Sequence, residues 1–147
     1  MKFIQTKSIT HTIFALVAAV AVLLYFSSCA RKVSFQTSSV VPAARGDVKV
    51  KKDNNNNYNI QLSLANLTEP SRLQPSKSTY VVWMETDHNV IKNIGQINSS
   101  SSLLSNKLKA SFETVSSTKP TKIFLTAEDD ASKQYPGMQL ILTTNNF

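Results

Sequence analysis

Residues 79–84, TYVVWM, are the stretch that decides the fold of this chain. In an extended strand, successive side chains point to opposite faces of the sheet. The apolar residues of this stretch then divide between two faces, with Tyr80, Val82 and Met84 on one and Val81 and Trp83 on the other. Such a run, rich in β-branched and aromatic residues, is typical of a strand in a folded sheet.

Four other segments repeat this period of two. They are residues 48–50, 60–64, 123–127 and 140–142. Between them lie turn-forming residues, among them 53–57 (DNNNN), 87–89 (DHN), 99–102 (SSSS) and 136–137 (PG). No helix longer than two turns is expected, and the best candidate, residues 102–108, is equally compatible with a loop. The pattern predicts an all-β fold, an antiparallel immunoglobulin-like β-sandwich of about seven strands, with Trp83 in the core between the sheets.

The first 28 residues are typical of a targeting segment. Lys2 and Lys7 form a positive N-terminal region, and residues 13–26 (IFALVAAVAVLLYF) are apolar and uncharged. A helix that spans a bilayer needs about 20 apolar residues, so this run is short for a permanent span and suits a signal peptide. Residues 1–28 are therefore expected to form a signal helix that is removed.

Cys29 is the one cysteine of the chain. The sequence Phe26-Ser27-Ser28-Cys29 resembles the lipobox of bacterial lipoprotein signals, although Phe26 stands where leucine is usual. A thiol is nucleophilic enough at neutral pH to accept a diacylglyceryl group as a thioether. The resemblance implies that Cys29 is lipidated and becomes the first residue of the mature protein. The alternative is an uncleaved signal anchor with a buried thiol.

The residues after the signal are enough for one core and predict one domain, 43–147. Residues 29–42 are interpreted as the lipidated N-terminus and a tether, which becomes a strand near Val40. The alternative is that Val33 and Phe35 begin a first strand.

The chain is basic, with 16 lysines and arginines, 9 acidic residues and a formal net charge of +7. Outside Lys49, Lys51 and Lys52 the positive charges are scattered singly, without a helical stripe or interleaved aromatic residues. Nucleic acid is therefore not expected as a partner. One cysteine can form neither an intrachain disulfide nor a zinc site of several thiolates.

Three segments, residues 79–97, 122–130 and 135–144, resemble the extracytoplasmic β domain of anti-sigma-K factors. The resemblance is carried by Tyr80, Trp83, Gly95, Thr126, Glu128 and Pro136. Factors of that family have a sigma-binding domain before their membrane span, whereas only twelve residues precede the apolar run here. The resemblance thus implies a small extracytoplasmic β-sandwich and does not imply sigma-factor regulation.

Two acidic loops, at 85–88 and 128–130, are the candidates for a chemical site. If Glu85, Asp87 or Glu128 converged, carboxylates and the imidazole of His88 could build a metal-binding or hydrolytic site. If they do not converge, these are ordinary solvated loop residues.

These observations predict a lipid-anchored β-sandwich protein of the bacterial cell envelope, facing the periplasm or the cell exterior. Its expected partners are the membrane, through the lipid on Cys29, and an envelope protein. Neither enzyme activity nor a cofactor is expected. The alternative is a small-ligand or metal binder, or a hydrolase, that uses the acidic loops at 85–88 and 128–130.

Overall fold

The computed structural model describes residues 30–97 and 109–147 of the chain. The predicted signal segment 1–28, the predicted lipidation site Cys29 and the candidate helix 102–108 lie outside these ranges. The described residues form eight strands and one short 3-10 helix at Pro70–Arg72. Within them, no helix has the length and apolar character needed to cross a membrane.

The strands form two antiparallel sheets of four. The first sheet contains, in order, β1 (Arg31–Ser34), β2 (Arg45–Lys52), β3 (Tyr58–Ala65) and β6 (Lys109–Ser116). The second contains, in order, β5 (Ile91–Ile97), β4 (Thr79–Thr86), β7 (Pro120–Glu128) and β8 (Leu140–Thr143). The predicted all-β antiparallel sandwich is confirmed, with eight strands instead of about seven. Its immunoglobulin-like detail stays a prediction.

The hairpin of β2 and β3 shows how local chemistry sets the register. The carboxylate of Asp53 accepts hydrogen bonds from the backbone N–H groups of Asn55 and Asn57, both at 2.8 Å. Asn56 adopts a left-handed φ of 64°, which asparagine tolerates better than most residues. The turn therefore brings Val50 opposite Ile60, and both side chains face the core.

The main core lies between the two sheets. From β4 it takes Tyr80, Val82 and Met84, as the period of two predicts. β7, beside β4 in the same sheet, adds Ile123 and Leu125. β3, in the first sheet, faces them with Ile60, Leu62 and Leu64. Full burial of one such aliphatic side chain contributes about 1.5–3 kcal/mol, so this layer is the main source of stability. The hydroxyl of Tyr80 donates to the carbonyl of Thr68 at 2.6 Å, and burial raises the pKa of Tyr80 to about 12.

The prediction that Trp83 lies between the sheets is wrong. Trp83 is fully buried, but on the outer face of the second sheet, where it packs with Val81, Phe124 and Ala131. The rings of Trp83 and Phe124 are stacked with centroids 6.4 Å apart. β4 is therefore apolar on both faces, because the segment between β7 and β8 covers the outer one.

The prediction of a tether in residues 29–42 is also wrong for its described part. β1 begins at Arg31 and pairs with β2, with Arg31 opposite Val50. Phe35 packs against the core and bridges to Thr144, which connects the two sheets. No strand forms near Val40, because this part of the chain bends until β2 starts. The alternative of an early first strand is the correct one.

The two sheets also meet where the ring of Phe112, on β6, packs against Gly95 on β5. Gly95 has a φ of +139°, which residues with a side chain rarely adopt. A Cβ at this position would lie 2.8 Å from the ring of Phe112. β5 carries an irregularity here, since Val82 pairs with Gly95 and Trp83 pairs with Asn93.

We expect Gly95→Ala to destabilise the fold by about 1–3 kcal/mol, because it adds backbone strain to a steric clash. Urea unfolding of the chain from Ala30 onward measures the change. Gln96→Ala, at the exposed neighbouring position on β5, is the matched control and should change stability by less than about 0.5 kcal/mol. Equal stability of the Gly95 variant and wild type would contradict the close packing of Phe112 against Gly95.

Candidate functional site

The strands give the sandwich two ends with different loops. The first, named the Arg31 end, contains Arg31, the turns 53–57, 87–90 and 117–119, and Phe147. The second, named the Glu128 end, contains the longer segments 36–44, 66–78 and 129–139.

The two acidic loops do not converge. In the pairing of β4 with β7, Glu85 lies opposite Lys122 and Glu128 lies opposite Thr79. Lys122 and Glu128 are six residues apart on one strand, which is about 20 Å. The register therefore excludes a site that combines 85–88 with 128–130. Within the described residues, no three His, Asp or Glu side chains form a group that could hold a metal ion.

The loop at 85–88 belongs to the Arg31 end and is largely open to solvent. Asp87 and His88 are exposed, and His88 Nε2 lies 3.8 Å from Asp87 Oδ1. Thr86 shapes the turn, because its carbonyl accepts from the N–H of Asn89 at 2.9 Å. The loop therefore has the character of an ordinary solvated turn.

Glu128, in contrast, is a buried carboxylate, with 1 % of its side chain exposed. Its Oε1 accepts hydrogen bonds from the hydroxyl of Thr126 and the backbone N–H of Gly137, both at 2.6 Å. Its Oε2 accepts from the ammonium of Lys133 at 3.0 Å. Three donors thus replace the water that the carboxylate loses on burial.

The electrostatics of Glu128 follow from these contacts. Burial acts to raise the pKa of Glu128, but the donors Thr126, Gly137 and Lys133 together outweigh it and hold the pKa below its ordinary value. The same pairing raises the pKa of Lys133. Glu128 is therefore a charged group that holds structure together, with its oxygen atoms engaged by neighbours.

The hydrogen bonds continue from Glu128 to Trp83. The indole N–H of Trp83 donates to Thr126 Oγ1 at 2.7 Å, and the Thr126 hydroxyl donates in turn to Glu128. We call these three residues, with Lys133 and Gly137, the Glu128 network. A chain of bonded polar groups of this kind defines one arrangement of the buried surface around it.

A second set of contacts ties segment 129–139 to β5. The amide of Asn93 donates to the carbonyls of Ala131 and Lys133, at 2.8 and 2.9 Å. A Cβ on Gly137 would lie 2.7 Å from the carboxylate of Glu128, so only glycine lets the backbone approach this closely. The segment is therefore held on both sides of Trp83.

Segment 129–139 exposes apolar side chains at the Glu128 end. Tyr135 is 80 % exposed and Met138 fully exposed. Met138 lines a cleft of about 580 Å³ together with Val40 and Leu140, which are also partly exposed. We call these three residues, together with Tyr135 from the same segment as Met138, the apolar patch. Isolated exposed apolar residues are common, but several around one cleft are typical of an interaction surface.

Charged groups flank the apolar patch without being free. Lys77, which lines the same cleft, pairs with Asp129 at 2.7 Å, and Lys133 pairs with Glu128. The cleft is therefore lined both by apolar side chains and by charged groups that are already paired, a mixed composition that occurs in many protein–protein interfaces.

Sequence reasoning named Glu128 as a candidate, in the acidic loop at 128–130, but it did not connect Glu128 with Trp83 or Thr126. The structure joins the three in one network. Sequence reasoning missed Lys133, Tyr135 and Met138 as members of the site. A signal was present, since Tyr135 and Met138 are large apolar residues around a Pro-Gly turn, where polar residues are usual.

The described residues define the class of protein as an all-β antiparallel sandwich with one outer sheet face covered by its own loop. No protein-family model, curated protein or solved structure matches the chain. The resemblances to lipoprotein signals and to anti-sigma-K factors stay predictions, and function is argued from the residues themselves.

We expect Glu128→Gln to destabilise the fold by about 1–3 kcal/mol at pH 7, because it weakens the hydrogen bonds of a buried acceptor. Lys133 is partly exposed, so solvent screens the ion pair and the hydrogen bonds contribute most. Urea unfolding of the chain from Ala30 measures the change. Glu85→Gln removes the same charge from β4 at the Arg31 end, where the side chain is partly exposed, and should have a smaller effect.

The same variants test pH dependence. Because the folded pKa of Glu128 is lowered, its contribution is present above the unfolded value of about 4.3 and is lost as pH falls through the folded value. Below about pH 4.5, the unfolding free energy of wild type should therefore fall more steeply than that of Glu128→Gln. Parallel pH profiles for the two proteins would contradict the charged state of Glu128.

Proposed function

We propose that the chain is a lipid-anchored β-sandwich protein of the bacterial envelope that acts by binding another envelope protein. The apolar patch carries the binding part of this proposal, because it exposes Tyr135 and Met138 on a tied-down segment. The lipobox resemblance at residues 26–29 carries the anchoring part.

The proposed anchor at Cys29 and the apolar patch lie toward opposite ends of the sandwich, which supports the proposal. Cys29 precedes the first residue of β1 by two positions, at the Arg31 end. The apolar patch lies at the Glu128 end, which the length of β7 separates from the Arg31 end by about 20 Å or more. A lipid on Cys29 would leave the patch directed away from the bilayer and accessible to a partner.

The Glu128 network supports binding in a second way. Hydrogen bonds to Glu128 and Asn93 hold segment 129–139 in one conformation before any partner arrives. A surface that is already ordered loses less conformational entropy on association. Aromatic residues and methionine are also enriched in protein interfaces.

A small-ligand binder is the second candidate, and its site would be the cleft beside Met138, which Glu128 of the loop at 128–130 also lines. Its volume of about 580 Å³ lies in the range of small-molecule pockets. A small ligand bound there would raise the free energy of unfolding, which urea unfolding measures. A protein partner would instead give a crosslinked product.

The anchoring part is tested by Cys29→Ala in the full chain expressed in a bacterium. We expect the variant to accumulate as unprocessed precursor and to stop partitioning into the detergent phase, because it has no thiol to accept a lipid. Ser28→Ala, which keeps a small residue before Cys29, is the matched control and should be processed and anchored. Normal processing and anchoring of Cys29→Ala would contradict the proposal.

The binding part is tested by a photoreactive residue at Gln134, beside the apolar patch, in intact cells. We expect one crosslinked product there and none from Asn55 at the Arg31 end. Tyr135→Ser with Met138→Ser should reduce the product at least fivefold without lowering stability, because both side chains are already exposed.

The control for this pair is Val90→Ser with Val115→Ser, which changes exposed apolar residues elsewhere and should preserve the crosslink. If both pairs reduce the product equally, the apolar patch is not the binding surface.

A further inference from the structure

The Arg31 end concentrates positive charge. Six basic residues project from the strand ends and turns there: Arg31, Lys51, Lys52, Lys92, Lys119 and Lys122. Only three acidic residues share this end: Asp53, Glu85 and Asp87. Apart from the adjacent Lys51 and Lys52, these cations are far apart in the sequence, and the antiparallel pairing of the strands brings them to one end.

None of these six cations forms an ion pair within the described residues. All nine acidic residues of the chain lie in the described ranges, so the comparison includes every carboxylate side chain. The carboxylate of Asp53 is engaged by the backbone of its own turn. At the Glu128 end, Arg72, Lys77 and Lys133 are each paired with a carboxylate. Arg45 and Lys109, at the same end, form no ion pair in the described part of the chain, so the Arg31 end differs in having more unpaired cations.

The same end receives the N-terminal strand. Arg31 is held by the pairing of β1 with β2, and its guanidinium lies 5.6 Å from the ring centroid of Phe147. Cys29 is two residues away, a reach of at most about 7 Å along the chain. Opposite charges in solution attract one another over about 8 Å at physiological ionic strength. A lipid on Cys29 would therefore bring Arg31 within the range at which it is attracted to charged headgroups.

A longer tether would have a different consequence. The fourteen residues 29–42 as a flexible chain would allow an end-to-end distance of about 20 Å, beyond the range of screened attraction. Because β1 already begins at Arg31, a lipid on Cys29 would bring this end against the membrane surface.

We propose that the Arg31 end is a membrane-facing surface that rests on anionic lipid headgroups. The inference depends on the proposed lipid anchor at Cys29 and adds the orientation of the sandwich and the chemistry of the lipid. Unpaired lysines near an anionic surface are attracted to it, each by roughly fivefold in the binding equilibrium. Held in this way, the domain directs the apolar patch away from the bilayer.

The test uses the full lipidated chain in vesicles of phosphatidylcholine alone or with 30 % phosphatidylglycerol. Asn55→Cys at the Arg31 end and Gln134→Cys at the Glu128 end each accept a fluorophore, because lipidation would consume the thiol of Cys29. A quencher on the lipid headgroups reports which end is near the membrane. We expect strong quenching at position 55, enhanced by phosphatidylglycerol and reduced by 0.5 M NaCl, and weak quenching at position 134.

Charge variants identify the cause. One variant changes Lys51, Lys52 and Lys119 together to Gln. The equilibrium ratio between molecules with position 55 at the membrane surface and molecules with it away from the surface should then fall by about one to two orders of magnitude. The matched control changes Arg45, Lys49 and Lys109 to Gln. It removes the same charge from sites outside the Arg31 end and should preserve the quenching.

Two results would overturn the inference while the anchor stands. One is equal quenching at positions 55 and 134 in vesicles that carry the lipidated chain. The other is quenching at position 55 that depends on neither phosphatidylglycerol nor the three lysines. Failure of the chain to float with vesicles, with an unmodified Cys29 thiol by mass spectrometry, would instead contradict the proposed anchor.

Discussion

The buried carboxylate of Glu128 is the constraint on which the outer face of the second sheet depends. A carboxylate removed from water is costly unless donors replace the lost hydration. β7 supplies one donor through Thr126, but the others, Lys133 and the N–H of Gly137, come from segment 129–139. The segment must therefore fold back over the sheet, and in doing so it covers Trp83.

Covering the outer face has a consequence for the surface. The segment that satisfies Glu128 also carries Tyr135 and Met138, whose side chains have no place in either core and extend into solvent. The opposite end of the sandwich lacks long segments and ends in short turns with unpaired lysines. The two ends thus differ in chemistry, since one carries the apolar patch among paired charges and the other carries unpaired cations.

Sequence reasoning worked where the pattern is local. The alternation of Tyr80, Val82 and Met84 was read correctly because the period of two belongs to the strand itself. Trp83 was assigned to the wrong layer, since both faces of β4 are apolar and the pattern does not say which one meets the other sheet. β1 was read as a tether because its four residues include two exposed basic ones and little apolar signal.

The sequence by itself determined the all-β class and the turn chemistry, because each depends on neighbours within a few residues. Lipid attachment at Cys29 also follows from a local pattern and stays a prediction. Tertiary structure alone decided which strand ends meet. The antiparallel register of β4 and β7 separates Glu85 from Glu128 by about 20 Å. The pairing of strands in both sheets gathers distant lysines at the Arg31 end. Pairing between strands far apart in the chain has no local signature, because it depends on how whole faces pack.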